Sequence, residues 1–492
     1  MYMRRLTLEN FRSFRGRHTF EFLPGLNCIV GDNNCGKSSL FEATTYLMGI
    51  GRSDDTLTCN AGDGAMRVEA DLAGDDLAQV LDDDKYKKLR DFVFDSEGTP
   101  TLRVERSPVQ RSVTQSGKNV PLDGKKLPVW NPNSSQFENP TGIDALIRGL
   151  IDFEPVWADT VPGDVADFGT TKILGKIIDA QVKGFQDTDA WLSFREAHER
   201  AFISGDESLA GLMGAIAEQI AAVVCGQYGH AQVRFSFAPP DAATLIKGGQ
   251  LFVDDGAGET SLTMKGTGMQ RAFALALIQV LAQVSRGRAE SGTPLILLID
   301  EPETWLHPRA QLQLGEALAT IAKTNQLFLI THSPYLLRHY DAARHRLMVF
   351  TGTGVEAKAS IEDEMGLRRA GRPSWGEINY RAFGVASDEF FDELYPLLED
   401  YAVAGGIHVG DLLTNQGLPK WKTRIWGGKA HELTRPEYVR HSIHHPGTEN
   451  APHTPQDLAD AIADLLSVLN RLGHQPEVPE SDEASWASAN AR

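Results

Sequence analysis

The chain has 492 residues and a net charge of −18, from 48 basic and 66 acidic side chains. That balance excludes indiscriminate binding to nucleic acid or to an anionic membrane, while leaving room for a local basic groove. With 41% hydrophobic and 23% charged residues it has the composition of a globular protein of two or three domains, and no apolar run reaches the roughly 18 residues of a membrane span. The N-terminal MYMRRLTLENFRSF lacks a signal-peptide core. The four cysteines, Cys28, Cys35, Cys59 and Cys225, lack metal-ligand spacing, and both features point to a reducing, cytoplasmic setting.

In chain order, Arg4–Glu9 alternates as a strand, Asn10-Phe11-Arg12-Ser13-Phe14 forms a turn, and His18–Phe22 leads through Pro24-Gly25 to a short apolar strand, Cys28–Val30. That strand runs into Gly31, Asp32, Asn33, Asn34, Cys35, Gly36, Lys37, Ser38 and Ser39, and then into a helix over Ser38–Met48. G-x-x-x-x-G-K-[ST] between a strand and a helix is a phosphate-binding loop. The glycines let backbone N–H groups point inward, and the helix N-terminus adds the positive end of its dipole. Lys37 reaches the β- and γ-phosphates and the Ser38 hydroxyl is placed to ligate Mg²⁺, so the motif implies a nucleoside triphosphate, ATP above all, with magnesium. Cys35 sits within this loop near a helix N-terminus, where a thiol is acidified; its alkylation should block nucleotide binding.

Met66–Leu72 alternates as a strand. Beyond Asp75, Ile143–Ile151, Lys172–Phe185, Asp189–Phe202 and Leu209–Val224 carry apolar residues at helical spacing, with some early strand content before them. This region reads as a largely helical insertion serving as a lid, a partner platform or a dimerisation arm. Val233–Phe237 and Gln250–Val253 read as strands. Gly266-Thr267-Gly268 then precedes an Ala- and Leu-rich helix over Ala272–Gln283, with Thr267 as its expected N-cap. Leu295–Ile299 is a continuous apolar run suited to a central parallel strand, and it ends in Asp300-Glu301, at the edge where open α/β sheets place their chemistry. Asp300 can share the Mg²⁺ shell with Ser38, and Glu301 can orient or deprotonate an attacking water. Pro302–Pro308 turns the chain into a helix over Arg309–Lys323, and Gln326–Ile330 is a second buried strand that ends in Thr331-His332-Ser333. A strand-end histidine is often structural; in this register His332 reads as a γ-phosphate sensor.

The order phosphate loop, glycine-rich helix start, Asp-Glu strand, proline-bounded turn and strand-end histidine resembles an ABC-type ATPase head. Asn10–Phe14 places it near the RecF/SMC/OLD branch of that class. The resemblance implies an α/β P-loop NTPase fold in which residues 1–75 and 225–350 form the head. A largely helical insertion at 76–224 splits that head, and a mostly helical C-terminal region fills 351–492. It implies that Gly266, Thr267, Gly268 and Gln270 stand in for the signature motif, which meets the nucleotide bound by a second copy in a head-to-tail dimer. It also casts Pro302–Pro308 as the D-loop, with Lys37, Glu301 and His332 as catalytic groups. The signature departs from Leu-Ser-Gly-Gly-Gln in losing its second glycine. OLD nucleases also carry a Toprim domain, which needs a glutamate after a strand and an Asp-x-Asp; residues 351–492 show neither. What remains resembles the ATPase subunits of Septu- and PARIS-type anti-phage systems, which implies a partner nuclease, with nucleic acid as a further candidate partner and no membrane.

In the C-terminal region Gly352–Arg372 is polar and connecting, Glu377–Phe383 and Glu389–Tyr401 read as helices, and His431–His445 precedes an amphipathic helix, Pro455–Leu472. Arg440 and His445 match the R-x(4–6)-H element of HEPN-type ribonucleases. A helix C-terminus favoured by its cations and a metal site on His441, His444 and His445 are the alternative readings. Residues 474–492 form a polar tail.

Overall fold

The computed structural model describes residues 1–50, 57–59, 64–109, 111–115, 118–122, 124, 126–158, 160, 166–169, 172–238, 241–256, 258–289, 294–304, 306–341, 343–352, 358–361, 367, 373–426, 428–445 and 451–475. The chain forms two compact units, Met1–Ala158 with Arg288–Arg492, and Asp159–Gly287. The segments 76–224 and 225–350 expected from the sequence are thus each divided between the two units.

The first unit is built on two sheets. One is antiparallel: β1 (Tyr2–Phe11) pairs with β2 (Phe14–Glu21) and β4 (Arg67–Ala73), and β4 continues into β6 (Thr99–Arg106), β9 (Val129–Asn131) and β10 (Gln136–Glu138), with β5 (Val93–Ser96) also on β6. A separate hairpin joins β7 (Arg111–Gln115) to β8 (Lys118–Leu122). The strands β5, β6, β9 and β10 are the early strand content expected ahead of the insertion's helices, and they complete this sheet. The other sheet has the order β11 (Asp152–Val156), β14 (Leu295–Asp300), β15 (Gln326–Ile330), β3 (Leu26–Gly31), β16 (His345–Thr351) and β17 (Lys358–Ile361). All its pairs are parallel except β16–β17. Its central strands β3, β14 and β15 are buried throughout, as continuous apolar runs covered on both faces must be. Pro155 is tolerated because β11 is an edge strand, and β17 adds a strand inside the stretch expected only to connect.

Helix α1 (Lys37–Met48) packs on β1, β4 and β6 and also on β3 and β11, so one core runs through both sheets: Leu6, Val68 and Val104, then Leu40 and Leu47, then Leu298, Phe328 and Met348. Each such side chain contributes roughly 1.5–3 kcal/mol on full burial. Gln326 stitches the sheets together. Its Nε2 donates to the carbonyls of Met3 (2.7 Å) and Leu23 (2.9 Å), and its Oε1 accepts the Met3 N–H at 2.8 Å.

The C-terminal part of this unit has its own core, formed by the helices Asp388–Ala404, Val409–Asn415, Arg435–His444 and Pro455–Arg471. The hairpin of β18 (Lys420–Trp426) and β19 (Lys429–Thr434) precedes Arg435–His444, and this strand pair has no counterpart in the sequence reading. Residues 476–492 of the expected tail lie outside the described residues.

The second unit contains the helices Ile173–Phe185, Asp189–Phe202, Leu209–Leu212, Gly214–Tyr228 and Ala242–Ile246, a hairpin of β12 (Phe252–Asp254) and β13 (Glu259–Ser261), and the long helix Thr267–Ala289. Leu209–Val224 is thus two helices that break at Met213. Val233–Phe237, expected as a strand, takes no regular structure; its alternation finds no partner edge. Thr267, expected as the N-cap, is the first helical residue, and the Gly266 carbonyl accepts the first helical N–H, from Gln270, at 3.1 Å. No helix among the described residues is long and apolar enough to cross a membrane.

Candidate functional site

Three strands end together. β15 lies between β3 and β14, all parallel, so the loops after Val30, Ile299 and Ile330 leave the same edge of the sheet. They carry the phosphate loop, the acidic pair and the histidine loop respectively.

The phosphate loop needs its glycines for two reasons. Gly31 has φ +135°, and a Cβ there would fall inside contact distance of the Phe350 carbonyl on neighbouring β16. Gly36 has φ +96°, and a Cβ there would lie 2.8 Å from Ser13 Oγ and 3.0 Å from the Phe14 ring. Asn34 also adopts positive φ, 62°, which asparagine tolerates better than most residues. The Asn10–Phe14 turn therefore abuts the loop, and Arg12 fastens it to α1 through a bidentate pair with Glu42 at 2.7 and 2.8 Å. Gly36 is also the N-cap of α1 and supplies no side-chain cap, and the first turn holds no acidic residue. The leading amides of α1 are thereby left for an anion.

Lys37 is only 5% exposed. Its ammonium donates to the carbonyls of Gly31 (2.9 Å) and Asp32 (2.6 Å) and lies 3.6 Å from Cys35 Sγ. The Cys35 thiol in turn donates to the Asp32 carbonyl at 2.8 Å. The loop from Gly31 to Ser39 is thus one connected piece, with Ser38 and Ser39 in the first turn of α1.

Asp300 closes β14 and is 7% exposed. Burial, then the negative charges of Glu301 and Glu303, push its carboxyl up to about 7, while Lys37 and a backbone hydrogen bond from Ala158 act against that. Its Oδ1 is buried with no hydrogen-bond partner among the described residues. A buried oxygen without a donor, on an acid destabilised as an anion, is what a hard divalent cation relieves, since such ions take oxygen ligands. The donor set fits magnesium: Asp300 and Ser38 are the residues that would hold it. Bound there, magnesium would neutralise phosphate charge.

Glu301 has φ 44°, a left-handed conformation that costs a non-glycine residue of order 1–3 kcal/mol and persists where surrounding structure enforces it. Here the enforcement is visible: its N–H donates to the Ile330 carbonyl at 2.9 Å, and its own carbonyl accepts the Thr304 hydroxyl at 2.9 Å. This geometry sets Glu301 Oε1 3.5 Å from His332 Nε2. Burial and then the Lys37 charge lower the His332 pKa, with Glu301 opposing, so the imidazole is neutral at neutral pH. Glu303, within the Pro302–Pro308 turn, also belongs to this edge. It accepts the His332 backbone N–H at 2.6 Å. Its signal was its spacing, a third acid two residues beyond the Asp-Glu pair.

Gly266, Thr267, Gly268 and Gln270 lie in the second unit. Gly266 and Thr267 are exposed, and Gln270 Nε2 is turned back onto the carbonyls of Lys265 (2.7 Å) and Thr263 (3.2 Å). In the C-terminal region Arg440 pairs with Glu399 at 2.8 Å and lies over the Tyr395 ring, and His445 stacks on His441. No group of three or more His, Cys, Asp or Glu side chains among the described residues is arranged to hold a metal ion.

A nucleotide loop, a strand-end carboxylate pair and a histidine on one parallel-sheet edge define a P-loop ATPase. Two family models agree with this: one described as an AAA domain matches residues 5–138, and one described as an AAA ATPase domain matches residues 172–337. The chain is 26% identical over 377 residues to the Old nuclease of Escherichia phage P2, covering 73% of this chain and 61% of that protein. It thus spans about three-fifths of that relative's length. A shorter segment of 47 residues is 51% identical to the DNA replication and repair protein RecF of Acidothermus cellulolyticus, 10% of this chain and 12% of that one. Among solved structures, an SMC head bound to the C-terminal winged-helix domain of ScpA aligns with 73% of this chain and 98% of its own, at 14% identity and a TM-score of 0.44. The chain thus carries domains of the AAA ATPase type and is similar in sequence to OLD, RecF and SMC proteins.

Proposed function

We propose that this protein binds and hydrolyses ATP with magnesium and uses the cycle as a dimeric clamp. In this reading Lys37 and the loop from Gly31 to Ser39 hold the phosphates, and Ser38 and Asp300 hold the metal. Glu301 orients and deprotonates the attacking water, and His332 contacts the γ-phosphate. The carrying observation is the convergence of Lys37, Asp300, Glu301 and His332 on one sheet edge, with Glu301 and His332 3.5 Å apart. The clamp is supported by the second unit, where the exposed Gly266-Thr267 start of a 23-residue helix offers its leading amides to the nucleotide of a second copy.

The output we favour is control of a partner nuclease in anti-phage defence, supported by the likeness to a phage Old nuclease. The test is the Glu301→Gln protein with ATP and Mg²⁺. It should sediment as a dimer and retain its nucleotide, and the wild-type rate per subunit should rise with protein concentration. A rate per subunit unchanged on dilution to isolated copies would sink the clamp. Co-purification of the trapped dimer tests the output: a bound nuclease supports it, and DNA alone overturns it in favour of a repair ATPase.

A further inference from the structure

We propose that Glu303 is a positioning residue for hydrolysis: by accepting the His332 backbone N–H it locks the loop after β15 to the loop after β14, and so holds the imidazole against Glu301. The inference rests on the hydrolytic reading above and adds a residue to it. Two loops from adjacent parallel strands need a tie if side chains on them are to keep a fixed distance. The strands themselves end at Asp300 and Ile330, with Glu301 N–H on the Ile330 carbonyl as the last ladder bond. One residue beyond that bond, only side chains can hold the loops together. Glu303 does so at 2.6 Å, and its neighbour Thr304 fixes the Glu301 carbonyl from within the same turn.

On the other side, Thr331 Oγ1 accepts the Ser333 N–H at 2.9 Å and Ser333 caps Tyr335, so the histidine loop is a rigid turn that moves as a piece. Glu303 grips it at His332 itself. Burial raises the Glu303 carboxyl, opposed by its own backbone N–H, by the His332 N–H and by the Thr331 side chain, so the group is held by the histidine loop in an environment unfavourable to its charge.

The test separates reach from charge. Glu303→Asp keeps the carboxylate but draws it back by one methylene; Glu303→Gln keeps an acceptor oxygen at full length and removes the charge. Misplacement of a reacting group by about 1 Å costs up to about 100-fold. Glu303→Asp should therefore lower kcat by about tenfold or more with KM within about threefold, whereas Glu303→Gln should keep at least about a third of kcat. In a His332→Ala background the Glu303→Asp cost should shrink to under about twofold, because a residue acting through the imidazole has nothing left to position. Thermal unfolding of each variant checks the fold, and the near-isosteric Glu303→Gln carries the test if Glu303→Asp is poorly folded: it must then retain activity. A Glu303→Gln loss as large as that of Glu303→Asp, or a Glu303→Asp cost undiminished by His332→Ala, overturns the proposal. Glu301→Gln serves as the control: hydrolysis at the wild-type rate in that variant would defeat the underlying reading, whereas an inactive Glu301→Gln beside a fully active Glu303→Asp would defeat this one alone.

Discussion

Replacing Asp300 by asparagine should stabilise the metal-free protein, increasingly so as pH rises. Burial and two neighbouring carboxylates raise the Asp300 carboxyl from its ordinary 3.8 to about 7. Below pH 3.8 the group is protonated in both folded and unfolded chains and costs nothing. Between 3.8 and 7 the folded protein keeps a proton that the unfolded chain releases, so stability falls with rising pH until it levels off above about 7. The interval is about three pH units at about 1.4 kcal/mol each, so the whole effect is about 4 kcal/mol. About 2 kcal/mol of it falls between pH 5.5 and pH 8. Asp300→Asn lacks the ionisation, so urea unfolding of the two proteins should show the variant gaining about 2 kcal/mol on wild type between those pH values, without added metal. With Mg²⁺ and ATP the order should reverse, since only wild type offers the anionic oxygen. A difference between the proteins that is independent of pH would refute the assignment of Asp300 as a buried acid awaiting a cation.

Other outcomes follow from single contacts. Gly31→Ala should lose about 3 kcal/mol or fail to fold, because the new methyl meets the Phe350 carbonyl at a φ closed to alanine; a soluble variant with wild-type stability would contradict the loop geometry. Gln326→Leu should cost about 3 kcal/mol in denaturant unfolding, because it leaves the Met3 N–H and carbonyl buried and unpaired; a loss under about 1 kcal/mol would show that the sheets do not depend on that stitch. Cys35 is fully buried beneath the Lys37 ammonium, whereas Cys225 is exposed. Mass spectrometry of the native protein treated with N-ethylmaleimide should therefore show Cys225 modified at least about tenfold faster, and a Cys35 that reacts first would mean the loop opens readily.

Local chemistry was legible wherever one segment carries its own signal. Gly31–Ser39 between a strand and a helix, the apolar run into Asp300-Glu301 and the run into His332 each identify their elements without reference to the rest of the chain, since phosphate loops and doubly covered strands depend on nearby residues. The helices Ile173–Phe185 and Asp189–Phe202 were readable for the same reason, from apolar spacing alone. Val233–Phe237 alternates like a strand yet forms none, because alternation records a surface that could pair and says nothing of whether an edge is available.

Which strands stand side by side was a tertiary decision. β15 enters between β3 and β14 although it follows both in sequence, and β11 joins β14 across more than a hundred residues; these placements come from burying both faces of each strand against α1 and the neighbouring layers. The distance between Glu301 and His332, the lone oxygen of Asp300 and the grip of Glu303 on the histidine loop are consequences of that order. Sequence alone determined which groups stand in the glycine loop and at the ends of the apolar strands, because those groups are encoded by short-range pattern. Only the fold decided which of them touch, because contact between residues far apart in the chain depends on a shared core that no single segment contains.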